Sequence, residues 1–121
     1  MSDFSVDINP AGIMAGSRNV MVVTPRGSIN PGTTPTLERH VDELIAKHYH
    51  TLIMDLTATD FISSSGIGFL LSTANLLREK SGDLILMNPP KLIDDIMANM
   101  NIKNYFRTIR RLDDIKHILV P

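Results

Sequence analysis

The sequence predicts an α/β fold with a mostly parallel central sheet and flanking helices, on three observations. From Val20 onward, apolar β-branched runs alternate with stretches whose apolar residues recur at helical spacing. One run, "TLIMDL" (Thr51 to Leu56), is apolar at successive positions, as a strand covered on both faces would be. The chain of 121 residues is 43% hydrophobic and 21% charged, the size and balance of one globular domain, expected over residues 1–121.

The opening "FSVDIN" and "GIMAGS" predict an edge strand or hairpin. "VMVVTP" (Val20 to Pro25) predicts a strand, and the turn-rich "RGSINPG" after it predicts a loop. Thr34 is a candidate N-cap with Pro35 at the first helical position, and Leu37, Val41, Leu44 and Ile45 mark one helical face. After the Thr51 to Leu56 strand, Ile67, Leu70, Leu71, Ala74 and Leu77 mark a second helix that begins at serines and stops at Lys80-Ser81-Gly82. "DLILMN" predicts a buried strand, and Leu92, Ile93, Ile96, Met97 and Met100 a third helix. A weaker strand over Tyr105 to Ile109 and a last helix over Leu112 to Leu119 complete a βαβαβαβα order with right-handed crossovers.

Composition excludes several classes of function. Twelve basic against 13 acidic side chains leave a net charge of −1, with no general attraction to nucleic acid or anionic membranes. The absence of cysteine removes disulfides, thiolate catalysis and cysteine-held zinc. No apolar run reaches the ~20 residues of a membrane span, and "MSDFSVDINP" lacks the features of a secretory signal. A cytoplasmic location without membrane insertion is expected.

"DFISSSGIGFL" (Asp60 to Leu70) sets three serines and two glycines at a strand-to-helix turn. Three readings compete: a helix cap with spare serines, a cradle for a phosphate-bearing ligand, and a site of covalent phosphorylation. A cap accounts for one serine and not three. The dinucleotide fingerprint fails because Leu71 stands where its third glycine is required, and no phosphate-loop lysine follows. A hydrolase elbow would need glycine two residues before its nucleophile, where Ser64 has Ile62 and Ser65 has Ser63. The histidines, His40, His48, His50 and His117, lie far from the turn in sequence, so catalysis is not expected. A phosphoserine at a helix N-terminus meets unsatisfied N–H groups and partial positive charge, so the fold can accept it.

The stretch "LIMDLTATDFISSSGIGFLLSTANLLREKSGDLILMNPPKLIDDIMANMNIKNYF" resembles the central and C-terminal parts of the STAS domain, the fold of bacterial anti-sigma-factor antagonists. The likeness extends weakly back to "VMVVTPRGSIN", with Gly27 and Asn30 at the end of the early strand. It rests on Ser63, Ser64, Ser65 and Gly66, with Gly68 following and Gly82 before the next strand. The resemblance implies a STAS-like fold and a non-enzymatic switch. Unmodified, such a protein binds an anti-sigma factor with serine kinase activity; phosphorylated on the loop serine, here Ser64, it is released, and a serine phosphatase would reverse the change. Asn30, Ser63, Ser64, Ser65 and Gly66 are the implied partner-binding residues, with no cofactor. Asn30 and Ser63 stand where family members often carry aspartate. The alternatives are a STAS subunit that scaffolds a transporter or stress-signalling complex without phosphorylation, and a small-ligand or nucleotide-binding module.

Three other features have plainer readings. His48 and His50 form an H-x-H pair with no third ligand evident, read as solvated residues in a connection. Arg107, Arg110 and Arg111 read as a solvated edge, and Met97 and Met100 as fillers of the core.

Overall fold

The computed structural model describes residues 4–12 and 19–117. Its elements are β1 (Ser5–Pro10), β2 (Val20–Ile29), α1 (Thr34–Ala46), β3 (Thr51–Asp55), β4 (Thr59–Ile62), α2 (Ser64–Glu79), β5 (Asp83–Met87), α3 (Lys91–Asn99) and β6 (Arg107–Ile109). Two 3-10 turns, Lys103–Tyr105 and Leu112–His117, flank β6. The sheet runs β1-β2-β3-β5-β6, with β4 on β2. β1 is antiparallel to β2, with Ser5 opposite Arg26, and every other pair is parallel. β1 is the expected edge strand; most of "GIMAGS" lies outside the described residues.

β3 is covered on both faces, as its unbroken apolar run predicts. Leu52 and Met54 pack with Val23, Leu84, Leu86 and residues of all three helices. Ile53 points the other way, into a cluster with Val20, Val22, Ile85, Ile109 and Ile115. The three helices therefore share one face. The opposite face is closed by Ala11 and by the Leu112–His117 turn, which stands where a last helix was predicted.

Three other elements differ from expectation. β2 continues through Pro25 and Gly27 to Ile29, because β4 takes over as its partner beyond β3. Pro25 lacks a ladder donor and lies past the last β2–β3 pair, Val23 with Met54. β4 itself was not predicted. Asp60 and Phe61 are both exposed between buried Thr59 and Ile62, so the strand has no alternating pattern. β6 begins at Arg107 rather than Tyr105, which belongs to a 3-10 turn.

The N-cap of α1 is Thr33, one residue earlier than predicted, which puts Pro35 second in the helix. All three helices end alike, with a residue in left-handed conformation after the cap: His48 (φ 70°), Ser81 (φ 66°) and Asn101 (φ 59°). The next N–H reaches back five residues in each case, Tyr49 to Leu44 (3.0 Å), Gly82 to Leu77 (2.8 Å) and Ile102 to Met97 (3.0 Å). These are Schellman endings. Gly82 is thus not the left-handed residue of its stop. It is glycine because a Cβ there would overlap the carbonyl of His50, which accepts the Asp83 N–H at 3.0 Å.

Candidate functional site

The pairing of β2 with β4 builds the site. Ile29 lies opposite Ile62, and the Ser63 N–H donates to the Ile29 carbonyl at 2.8 Å. Asn30 and Ser63 are the next residues of two paired strands, so they leave the sheet side by side at its carboxyl edge.

Asn30 organises its own loop. Its Oδ1 accepts the N–H groups of Gly32 (2.9 Å) and Thr33 (3.1 Å). The Thr33 hydroxyl accepts the Asn30 N–H at 2.9 Å and donates to the Ser28 carbonyl at 2.7 Å. An aspartate would offer an acceptor oxygen at the same place, so asparagine preserves this turn. The Asn30 amide nitrogen bonds to no described residue.

The three serines divide into different roles. Ser63 is the N-cap of α2, with extended backbone (φ −87°, ψ 173°), and its Oγ accepts the Gly66 N–H at 3.3 Å. Ser65 is exposed, with its Oγ 2.9 Å from that of Ser63. Ser64, the first residue of α2, is exposed, and its hydroxyl bonds to no described residue. The first turn carries no acidic side chain, so the positive end of the helix dipole is uncompensated there.

Gly66 lies beneath this surface. It is buried, and a Cβ on it would come within 2.7 Å of both Ile29 Cγ2 and Ile62 Cγ1. Its missing side chain lets α2 rest on the ends of β2 and β4, and it presents no side chain to a partner. The resemblance implies Gly66 as a partner-binding residue; the packing of the three elements adds a steric duty that no local pattern shows. Phe61 is 44% exposed on β4 just before the turn, a position that no alternating pattern in Thr59–Ile62 marks.

Neither Asn30 nor the serines line the clefts at Arg78–Arg107, along the outer side of α1, or at Asn88–Arg110. At the turn Ser64 and Ser65 are exposed, and Asn30 and Ser63 are half-buried. His48 is exposed and His50 half-buried, their rings 6.1 Å apart, and no group of three or more potential metal ligands occurs among the described residues. Arg107 pairs with Asp83 at 3.6 Å, and Arg78 binds the same carboxylate at 2.9 Å, which ties β6 to the end of α2. No helix among the described residues is long and apolar enough to cross a membrane.

The STAS domain profile matches residues 13–115. The chain belongs to the STAS family. Within it, this STAS domain is 28% identical over 86 residues to an anti-sigma F factor antagonist of Paenibacillus polymyxa, covering 67% of this chain and 74% of the relative. Its fold matches that of an anti-sigma factor antagonist from Mycobacterium paratuberculosis with TM-score 0.76 at 22% identity, over 97% and 96% of the two chains. It also matches the antagonist SpoIIAA at 18% identity. The TM-score is 0.73 for the unphosphorylated form, over 95% of both chains. It is 0.67 for the phosphorylated Bacillus form, over 95% of this chain and 98% of that one.

Proposed function

We propose that this STAS domain is a protein-interaction switch, an anti-sigma-factor antagonist that binds its anti-sigma factor when Ser64 is free and is released when Ser64 is phosphorylated. The observation that carries the reading is the division of labour at the turn. Ser63 caps the helix and Ser65 pairs with Ser63, while the Ser64 hydroxyl is exposed and has no hydrogen-bond partner among the described residues. The likeness to an antagonist that exists in both phosphorylated and unphosphorylated forms supports the choice of chemistry.

In the proposed step, Ser64 Oγ attacks the γ-phosphorus of ATP held by the partner. The bond from that phosphorus to the ADP oxygen breaks, the hydroxyl proton passes to a base on the partner, and ADP leaves. The product brings nearly two negative charges and three acceptor oxygens to a helix N-terminus that tolerates them. A partner packed on the turn then loses contact and meets unfavourable charge. Affinity falls by about 1–3 kcal/mol.

The decisive experiment captures partners from the native cell, then incubates the purified kinase partner with this domain and Mg-ATP. Mass spectrometry should place a single phosphate on Ser64. Ser64→Ala should abolish it, while Ser63→Ala and Ser65→Ala remain substrates. A partner that binds through the turn and adds no phosphate would leave the scaffold reading in its place.

A further inference from the structure

We propose that Gly68 is the residue that keeps the Ser64 hydroxyl open to a phosphoryl donor, with the helix giving up stability for that access. The inference rests on Ser64 being the switch residue, and it deepens that reading by naming what controls approach to it.

The other glycines near the sheet and helix ends have reasons inside the domain. A Cβ on Gly66 would strike Ile29 and Ile62, and one on Gly82 would strike His50. Gly27 has φ +112°, where a side chain is strained. Gly68 has none of these. It lies within α2, it is exposed, and a Cβ there would have nothing within 4 Å. Glycine is nonetheless the worst helix former after proline. The fold itself would be better served by almost any other residue.

The reason lies outside the domain, on the helix surface. Positions four apart in a helix share a face, and Cα–Cβ bonds tilt toward the N-terminus. A helical side chain therefore covers the turn before its own Cα. Residue 68 is four positions after Ser64, so a side chain at 68 would lean over Ser64. Phosphoryl transfer needs the donor phosphorus close to the oxygen and roughly in line with the leaving group. That approach requires bare surface beside the hydroxyl, and the glycine supplies it.

The chain contains no cysteine, so Ser64→Cys provides a single thiol that reports access without any partner. Its rate of reaction with 5,5′-dithiobis(2-nitrobenzoate), normalised to the measured thiolate fraction, is compared alone and combined with Gly68→Ala, Gly68→Leu or Ser72→Leu. Ser72 is exposed on α2 one turn beyond Gly68, and its substitution is the control. Gly68→Leu should slow the reaction about fivefold, because its long side chain leans over residue 64, whereas Gly68→Ala, whose Cβ meets nothing within 4 Å, should leave it nearly unchanged. Ser72→Leu should leave it unchanged. Gly68→Ala should also raise the melting temperature by about 2–6 °C. An unchanged rate in Gly68→Leu overturns the proposal, and so does a lower melting temperature in Gly68→Ala, which would expose an internal need for glycine. With the kinase partner and Mg-ATP, Gly68→Leu should slow phosphate incorporation at Ser64 while circular dichroism stays native. No phosphate on the wild type would instead overturn the switch reading and leave the thiol rates standing.

Discussion

Ser63, Ser64 and Ser65 share a residue type and differ in what their oxygens touch, which separates stability from signalling at single positions. The Ser63 oxygen satisfies one of the open N–H groups of α2, with a long 3.3 Å bond. Ser63→Ala should therefore destabilise the domain by about 0.5–1 kcal/mol, at the low end for a lost cap. Ser64→Ala should leave stability within about 0.5 kcal/mol of wild type, since no described residue bonds to its hydroxyl. Urea denaturation of the two variants checks both, and a larger loss for Ser64→Ala would mean that its hydroxyl has a structural duty. Gly66→Ala should cost about 1–3 kcal/mol through overpacking, because its new methyl would press on Ile29 and Ile62. The serines were legible in sequence as a cluster at a helix start. Which of them is uncommitted was not, because that depends on hydrogen bonds 2.9 and 3.3 Å long within the turn.

At the scale of elements, the ends of helices and strands decide where the site sits. The α2 ending sets two neighbouring residues against each other. Ser81→Gly should stabilise the domain by about 0.5–1 kcal/mol by removing a Cβ from the left-handed conformation. Gly82→Ala should destabilise it by about 3 kcal/mol, because the methyl would collide with the His50 carbonyl. Chemical denaturation of the pair should give opposite signs, and equal signs would show that the roles of 81 and 82 are misassigned. The helical faces were legible from spacing: Leu37, Val41 and Leu44, then Ile67, Leu70, Ala74 and Leu77, are buried as predicted. On α3 the same rule reached too far. Ile93 and Met97 are buried, while Leu92 in the first turn is 52% and Met100 at the C-cap 47% exposed. β4 was invisible for a different reason. Its stability comes from pairing with residues 27–29, more than 30 positions away in sequence, and not from a local pattern.

For the whole molecule, the sheet carries the fold and the carboxyl edge carries the proposed switch. Ile53 is fully buried on the face away from the three helices, so Ile53→Asp would place an unpaired carboxylate in the core and should abolish cooperative unfolding. A thermal melt followed by circular dichroism tests this, and a wild-type transition would contradict the two-faced burial of β3. By itself the sequence determined the alternation of strands and helices, the centrality of Thr51–Asp55, the amphipathic faces and the serine-rich helix start. All of these rest on periodicities of two or 3.6 and on capping chemistry, which are local. The tertiary structure decided the rest. The helices share one face because β2, β3, β5 and β6 follow one another in one direction across the sheet, so right-handed crossovers carry every helix to the same side. Asn30 meets Ser63 because Ile29 pairs with Ile62. Gly66 is buried while Gly68 is bare because one faces two isoleucines and the other faces solvent. Each of these outcomes depends on contacts between residues distant in sequence, whose register no local pattern encodes.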